Sequence, residues 1–194
     1  MSPKWVVLLL LYCSCQNGLS PDQYQKWLTA HFKELSSSQQ QNGINATLTW
    51  LPADGLAIKE VGTQDKTALA AARKEYEGLE YYRLRIALQS GQGDVLQFQA
   101  ANTDEYYQRV EYFSFGMQHD LSLLAGTDTL PCKLFHFERN YGAAPYADFM
   151  LGFEEKPENK SDRTLLYLDR VFSDTLIRLT IDKEKFQGVP VLEF

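Results

Sequence analysis

The segment Ala147-Asp-Phe-Met-Leu-Gly-Phe-Glu154 places Phe149, Leu151 and Phe153 at alternate positions. Successive side chains of a β-strand point to opposite faces, so this spacing predicts a strand with one apolar face. Residues 176–182 repeat the same alternation. The two segments therefore indicate that a β-sheet forms the centre of the C-terminal part of the fold.

The chain around these two segments, from residue 121 onward, shows only strand signals. The predicted strands of this region cover residues 121–125, 132–139, 147–154, 164–170, 176–182 and 189–194. Short strands separated by turn-forming stretches such as Asn140-Tyr-Gly142 are typical of an antiparallel meander. We therefore expect a meander-like antiparallel sheet in the C-terminal half.

The first two thirds of the chain add about three helices. Ser20-Pro21-Asp22-Gln23 offers a capping serine, a proline at the first helical position and a capping-box glutamine, so it predicts a helix start. Residues 63–76 and 103–117 predict the second and third helices from their apolar spacing. The predicted strands of this region are residues 44–51, 79–89 and 95–100, of which the last two form a hairpin.

These patterns together predict an α+β fold, with residues 21–194 as a single domain. The chain has 194 residues, of which 44% are hydrophobic and 23% charged, which is ordinary globular composition. The net charge is −6 and no basic cluster occurs. The electrostatic footprint of a nucleic-acid-binding protein is therefore missing, and we expect no nucleic-acid partner.

Residues 1–14 have the organisation of a secretory signal peptide. Lys4 precedes the apolar run of residues 5–12, which is far shorter than the roughly 20 residues of a transmembrane helix. The following segment, Leu11-Tyr-Cys-Ser-Cys15, resembles the lipobox of bacterial lipoproteins. The resemblance implies a diacylglycerol on the Cys15 thiol, removal of the leader before this residue, and acylation of the new amino group, for example with palmitate.

Cys15 rather than Cys13 is the predicted lipidation site, because Ser14 fits the position before the modified cysteine and the bulky Tyr12 does not. Residues 15–20 then form the lipidated cysteine and a short tether. An ordinary signal peptide, or an apolar N-terminal strand with incidental cysteines, remains an alternative interpretation of this segment.

The densest group of reactive side chains lies in the predicted strand of residues 132–139. On a regular strand Cys132, His136 and Glu138 share one side, where they could ligate zinc or form a Cys–His nucleophile. Three ligands crowded on one strand make a poor zinc site, and no orienting third group is evident for a nucleophile. We therefore predict no metal, cofactor or catalytic residue, and a buried, inert Cys132 thiol.

No common catalytic motif occurs, and Gly91-x-Gly93 lacks the third glycine of a dinucleotide-binding loop. We expect a non-enzymatic lipoprotein of the bacterial cell envelope, lipid-anchored to the outer membrane and acting in protein binding or envelope assembly. Its expected partners are the membrane and other envelope proteins. Two alternatives stay open, a glycan- or solute-binding surface lipoprotein and a hydrolase with an unrecognised site.

Overall fold

Eight antiparallel strands form one sheet in the computed structural model, which describes residues 18–156 and 160–193. The strands are β1 (Ser36–Gln41), β2 (Ile44–Leu51), β3 (Leu79–Leu88), β4 (Leu121–Ala125), β5 (Asp128–Glu138), β6 (Tyr146–Glu154), β7 (Arg163–Asp169) and β8 (Thr175–Ile181). The α-helices of the described residues are α1 (Pro21–His31), α2 (Ala53–Val61), α3 (Lys66–Glu75), α4 (Thr103–Glu111) and α5 (Lys183–Gln187).

The sheet curls into a nearly closed barrel, with the strand order β1-β2-β3-β6-β5-β4-β7-β8. Its edge strands, β1 and β8, approach each other across a seam that side chains bridge. Gln41 Nε2 donates hydrogen bonds to Ser173 Oγ at 2.8 Å and to Thr175 Oγ1 at 3.1 Å. These polar contacts protect edges whose backbone groups would otherwise be open to pairing with another chain.

The predicted α+β fold with a meander-like C-terminal half is wrong, because strands from both halves of the chain join in one mainly β sheet. Residues 95–100 form turns rather than the second strand of a hairpin, and β3 pairs with β6 instead. Asp94 holds these turns, since its carboxylate and carbonyl oxygens accept from the backbone N–H groups of Leu96 and Phe98. Val95 and Leu96 are nevertheless buried, so their apolar pattern resembled a strand.

Several element boundaries also differ from the prediction. The strand β1 and the helices α2 and α5 were not predicted. The predicted helix of residues 103–117 consists of α4, a π-helical turn (Tyr112–Gly116) and the start of a 3₁₀ turn (Met117–Asp120). The predicted strand of residues 189–194 forms only a bridge between Leu192 and Leu19 in its described part, residues 189–193.

The barrel interior is a packed core rather than a ligand chamber. Tyr82, Phe149, Phe153 and Tyr167 are fully buried inside it. Phe113, from the π-helical turn, inserts among them, with its ring centroid 5.2 Å from that of Phe149. Inward-facing side chains of a small barrel normally fill its interior in this way.

The helices α1, α2 and α3 build a second layer outside the sheet. They share a small core of their own with the C-terminal segment, made of Tyr24, Ala57, Ile58, Leu69, Ala72 and Leu192. Tyr76, which follows α3, packs edge-on against Tyr81 of β3 with 5.4 Å between the ring centroids. A helical layer is therefore held against the outer face of the sheet, and the candidate site lies between the two layers.

Candidate functional site

A cavity of about 230 Å³ lies between the helical layer and the outer face of the sheet. Its apolar walls come from the end of α1, from α2 and from the sheet, and include Leu28, Phe32, Leu35, Leu56 and Met150. Charged groups at the cavity are Lys59, Arg83, Glu138 and Asp148. We name this cavity the Arg83 pocket. Apolar walls with a few polar groups are the usual composition of a small-molecule site.

The strand register decides which charges face this pocket. Alternation along β3 buries Tyr82, Leu84 and Ile86 in the barrel, so Arg83 and Arg85 project outward. The neighbouring strand β6 sets Asp148 opposite Arg85, and Met150 opposite Arg83. Arg85 therefore lies opposite the Asp148 carboxylate on β6, and Arg83 lies opposite the Met150 thioether.

Arg83 has no hydrogen-bond or ion-pair partner in the part of the chain that the structure describes. Its Nε is fully buried and lacks an acceptor. The guanidinium lies 4.8 Å from the centroid of the Phe32 ring. Burial and the neighbouring Arg85 lower the pKa of Arg83, whereas the Asp148 and Glu138 carboxylates oppose this shift. An arginine nevertheless keeps its charge in proteins, so the pocket is lined by a partly buried guanidinium with no ion-pair partner among the described residues.

A second recess, of about 640 Å³, adjoins the Arg83 pocket along the groove between α1 and α2. The two cavities share Leu28, Phe32, Gly55 and Lys59 as wall residues. Gly55 permits the close approach of the two helices, because a Cβ at this position would lie 2.6 Å from Leu28 Cδ1. The pocket and the groove therefore adjoin as one largely apolar depression, with Arg83 at the pocket end.

The structure separates the reactive residues that the sequence placed on one side of a strand. A β-bulge between Cys132 and Leu134 shifts the register of β5, so that Cys132 points into the barrel while His136 and Glu138 face outward. The prediction of a shared side is therefore wrong. Among the described residues, no group of three or more His, Cys, Asp or Glu could hold a metal ion.

Cys132 lies in the core of the protein. Only 7% of its surface is exposed, and its thiol donates to the carbonyl oxygen of Leu134 at 3.0 Å. Burial raises the pKa of the Cys132 thiol to about 11. Since the thiolate is the reactive form, this cysteine is unreactive at neutral pH.

The predicted lipidation site, Cys15, lies outside the described residues, as does the signal peptide of residues 1–14. The described chain starts at Gly18, whose N–H donates to Glu193 Oε1 at 3.2 Å. None of the described helices combines the length and the apolar character that crossing a membrane requires.

Comparison with known proteins assigns this chain to no class: no family model, curated protein or solved structure matches it.

Sequence reasoning did not find the Arg83 pocket. The alternation in residues 79–89 predicts an outward Arg83 and Arg85, but it does not show that helices cover this face. What the arrangement offers chemically is a small cavity in which apolar walls meet charged groups of both signs, with Arg83 as the cation that has no ion-pair partner among the described residues.

Proposed function

We propose that this protein is a lipid-anchored component of the bacterial cell envelope, located at the outer membrane, whose folded domain is a non-enzymatic binding module. The lipobox-like segment that ends at Cys15 supports the anchor. Only residues 16 and 17 separate Cys15 from Gly18, where the contacts with the C-terminal segment begin. A tether of this length would hold the domain close to the membrane surface.

The Arg83 pocket is the observation that carries the binding role. Arg83 is half-buried and its buried Nε–H has no acceptor among the described residues, which costs free energy, and a bound anion would offset part of that cost. The volume of about 230 Å³ lies below the ~300–1,000 Å³ of pockets for drug-sized molecules. A small solute, or the end of a longer one, is the ligand that fits this volume.

A ligand screen by thermal unfolding tests this role. The full-length protein is heated with panels of anionic, neutral and cationic amphiphiles, and binding raises the midpoint because only the folded state binds. We expect a rise with anionic amphiphiles that is lost in Arg83→Met. Arg139→Met is the matched control, because Arg139 also lies over an aromatic ring, that of Tyr141, but outside the pocket. If no panel shifts the midpoint, the pocket is not a solute site.

Assembly with other envelope proteins is the second candidate function. It is favoured by three exposed aromatic side chains, Tyr107, Phe115 and Tyr141, whose exposed fractions are 61%, 75% and 78%. Large aromatic residues are enriched in the buried centres of protein interfaces. Tyr107 and Phe115 lie on one continuous helical stretch, so a single partner surface could contact both.

Crosslinking in the native envelope, with the lipid intact, tests the assembly role. Phe115→Ser should lose crosslinked partners that the unaltered protein recovers. Leu176→Ser serves as the control, because Leu176 is an exposed apolar residue of β8 outside this helical stretch. Equal recovery by the two variants would argue against an interface at Phe115.

A further inference from the structure

We propose that the Arg83 pocket binds a carboxylic acid with an alkyl tail, with its carboxylate on Arg83 and the tail along the α1–α2 groove. This inference rests on the proposed binding function and names the ligand class for the same site. Three features of the pocket carry it: the charge of Arg83, the carboxylates beside it, and the apolar walls.

The charge of Arg83 selects an anion. Arg85 and Asp148 neutralise each other through two hydrogen bonds, so this pair adds no net charge. Among the remaining charged residues that line the pocket, Lys59 and Glu138 are exposed and of opposite sign, and Arg83 is the partly buried one. Arg83 has no hydrogen-bond or ion-pair partner among the described residues, and its Nη groups, unlike the buried Nε, are the N–H groups that an incoming anion would contact.

The neighbouring carboxylates select a monoanion. With Asp148 paired to Arg85, Arg83 offers one positive charge beside the Glu138 carboxylate, so a singly charged head matches it better than a doubly charged phosphate. A carboxylate brings one negative charge and a flat pair of oxygens that match the planar guanidinium. Carboxylate is therefore a better match than a phosphate monoester.

The walls select an apolar tail. Phe32, Met150 and Leu56 line the cavity together with Arg83, and Phe32 also lines the groove between the two helices. Gly55 and Leu28 flank both parts of the depression, so an alkyl tail that runs from Arg83 into the groove would pass them. Burial of the tail is favourable by about 0.8 kcal/mol for each methylene removed from water. A free acyl-chain acid combines this tail with the required head, whereas a phospholipid presents its chains as esters.

Photoaffinity labelling of the full-length protein in zwitterionic nanodiscs tests this inference. The probes are a decanoic acid and a decanol that carry the same diazirine on the alkyl chain, and labelled peptides are quantified by mass spectrometry. We expect the acid to label the α1 and α2 peptides at least about tenfold more than the alcohol, the ratio that one charge-assisted contact provides. Arg83→Met should lower labelling by the acid to the level of the alcohol, and Arg139→Met should leave it unchanged.

Other outcomes of the same experiment distinguish a wrong carboxylate assignment from a wrong binding site. Equal labelling of α1 and α2 by acid and alcohol would overturn the carboxylate assignment and leave a solute site in place. Absence of labelling at α1 and α2 by both probes would overturn the site as well. Stronger competition by decyl phosphate than by decanoate would overturn the choice of head group.

The ratio between acid and alcohol in the unaltered protein needs no variant, so the test stands even where Arg83→Met does not fold. Gly55→Ala then examines the tail independently. The added Cβ would lie 2.6 Å from Leu28 Cδ1 and force this wall residue to move, so we expect labelling by the acid to fall at least about threefold if the tail lies there. Unchanged labelling in a folded Gly55→Ala variant would overturn the tail placement.

Discussion

Asp148 is the partner of Arg85 and not of Arg83, although both arginines project from the same face of β3. Nε and Nη2 of Arg85 donate to the two carboxylate oxygens of Asp148 at 2.7 and 2.6 Å. The ring of Tyr146 lies 3.6 Å from the same guanidinium. Arg85 is thus fixed in a structural ion pair, and this pairing leaves Arg83 available to the pocket.

Replacement of Asp148 by Ala should destabilise the protein by about 2–3 kcal/mol, because only 9% of this side chain is exposed and Arg85 would lose its acceptor. The loss would also leave two like charges on neighbouring outward positions of β3. Urea unfolding measures the effect. Glu154→Ala is the control: Glu154 pairs with Lys156 at the exposed surface, where little change is expected. Similar losses in both variants would contradict a special role for the Asp148 pair.

The turns of residues 95–100 depend on a buried arginine of α4. Arg109, which is 6% exposed, donates to the backbone carbonyl oxygens of Leu96 and Phe98 and pairs with Glu105. We predict that Arg109→Met lowers the free energy of unfolding by about 2 kcal/mol, since a buried carbonyl group at Leu96 and a partly buried one at Phe98 lose their donor. Hydrogen exchange should quicken first at residues 95–100. Exchange that quickens equally in all elements would show that Arg109 does not act locally.

The sequence predicts the strands in which every second residue is apolar, such as β6 and β8, because a sheet with one face packed on a core requires this two-residue period. It does not predict which strands pair. Residues 95–100 show the reason: buried turns and buried strands can share an apolar pattern, and only the Asp94 and Arg109 contacts distinguish them.

The bulge in β5 does leave a trace in the sequence. Before the bulge the inward residue is Cys132, at an even position, and after it the inward residues are Phe135 and Phe137, at odd positions. The apolar alternation of the strand is therefore displaced by one residue. This change of parity is the sequence signal that distinguishes the side of Cys132 from the side of His136. The Arg83 pocket leaves no comparable trace, because it depends on helices that are distant from β3 in the sequence and cover its outer face.

The Cys132 thiol should make stability depend on alkaline pH. Its pKa is about 11 in the folded protein, against a reference value of 9.0 for the unfolded chain. Below pH 9 the thiol is therefore neutral in both states, and its full contribution to stability is present. Between pH 9 and 11 the unfolded chain ionises first, and stability falls. The loss is about 2–3 kcal/mol, at about 1.4 kcal/mol for each pKa unit.

Urea unfolding of the unaltered protein and of Cys132→Ala, measured from pH 8 to 11, isolates this contribution. Buried tyrosines such as Tyr82 also have raised pKa values and destabilise both proteins at high pH. Because only the unaltered protein has the Cys132 thiol, the difference in free energy of unfolding between the two proteins should shrink as pH rises. A difference that stays constant over this range would mean that the thiol titrates alike in both states.

The anchor can be tested apart from the pocket. Cys15→Ala should abolish incorporation of labelled lipid and release the protein from the membrane fraction, because the Cys15 thiol and its amino group are the predicted attachment points. Cys13→Ala is the matched control, since Cys13 lies in the part of the leader that would be removed. Persistent labelling in Cys15→Ala, together with its loss in Cys13→Ala, would move the attachment to Cys13. The solute-binding argument would stand in either case, because every group that carries it lies at or beyond Leu28 in the chain.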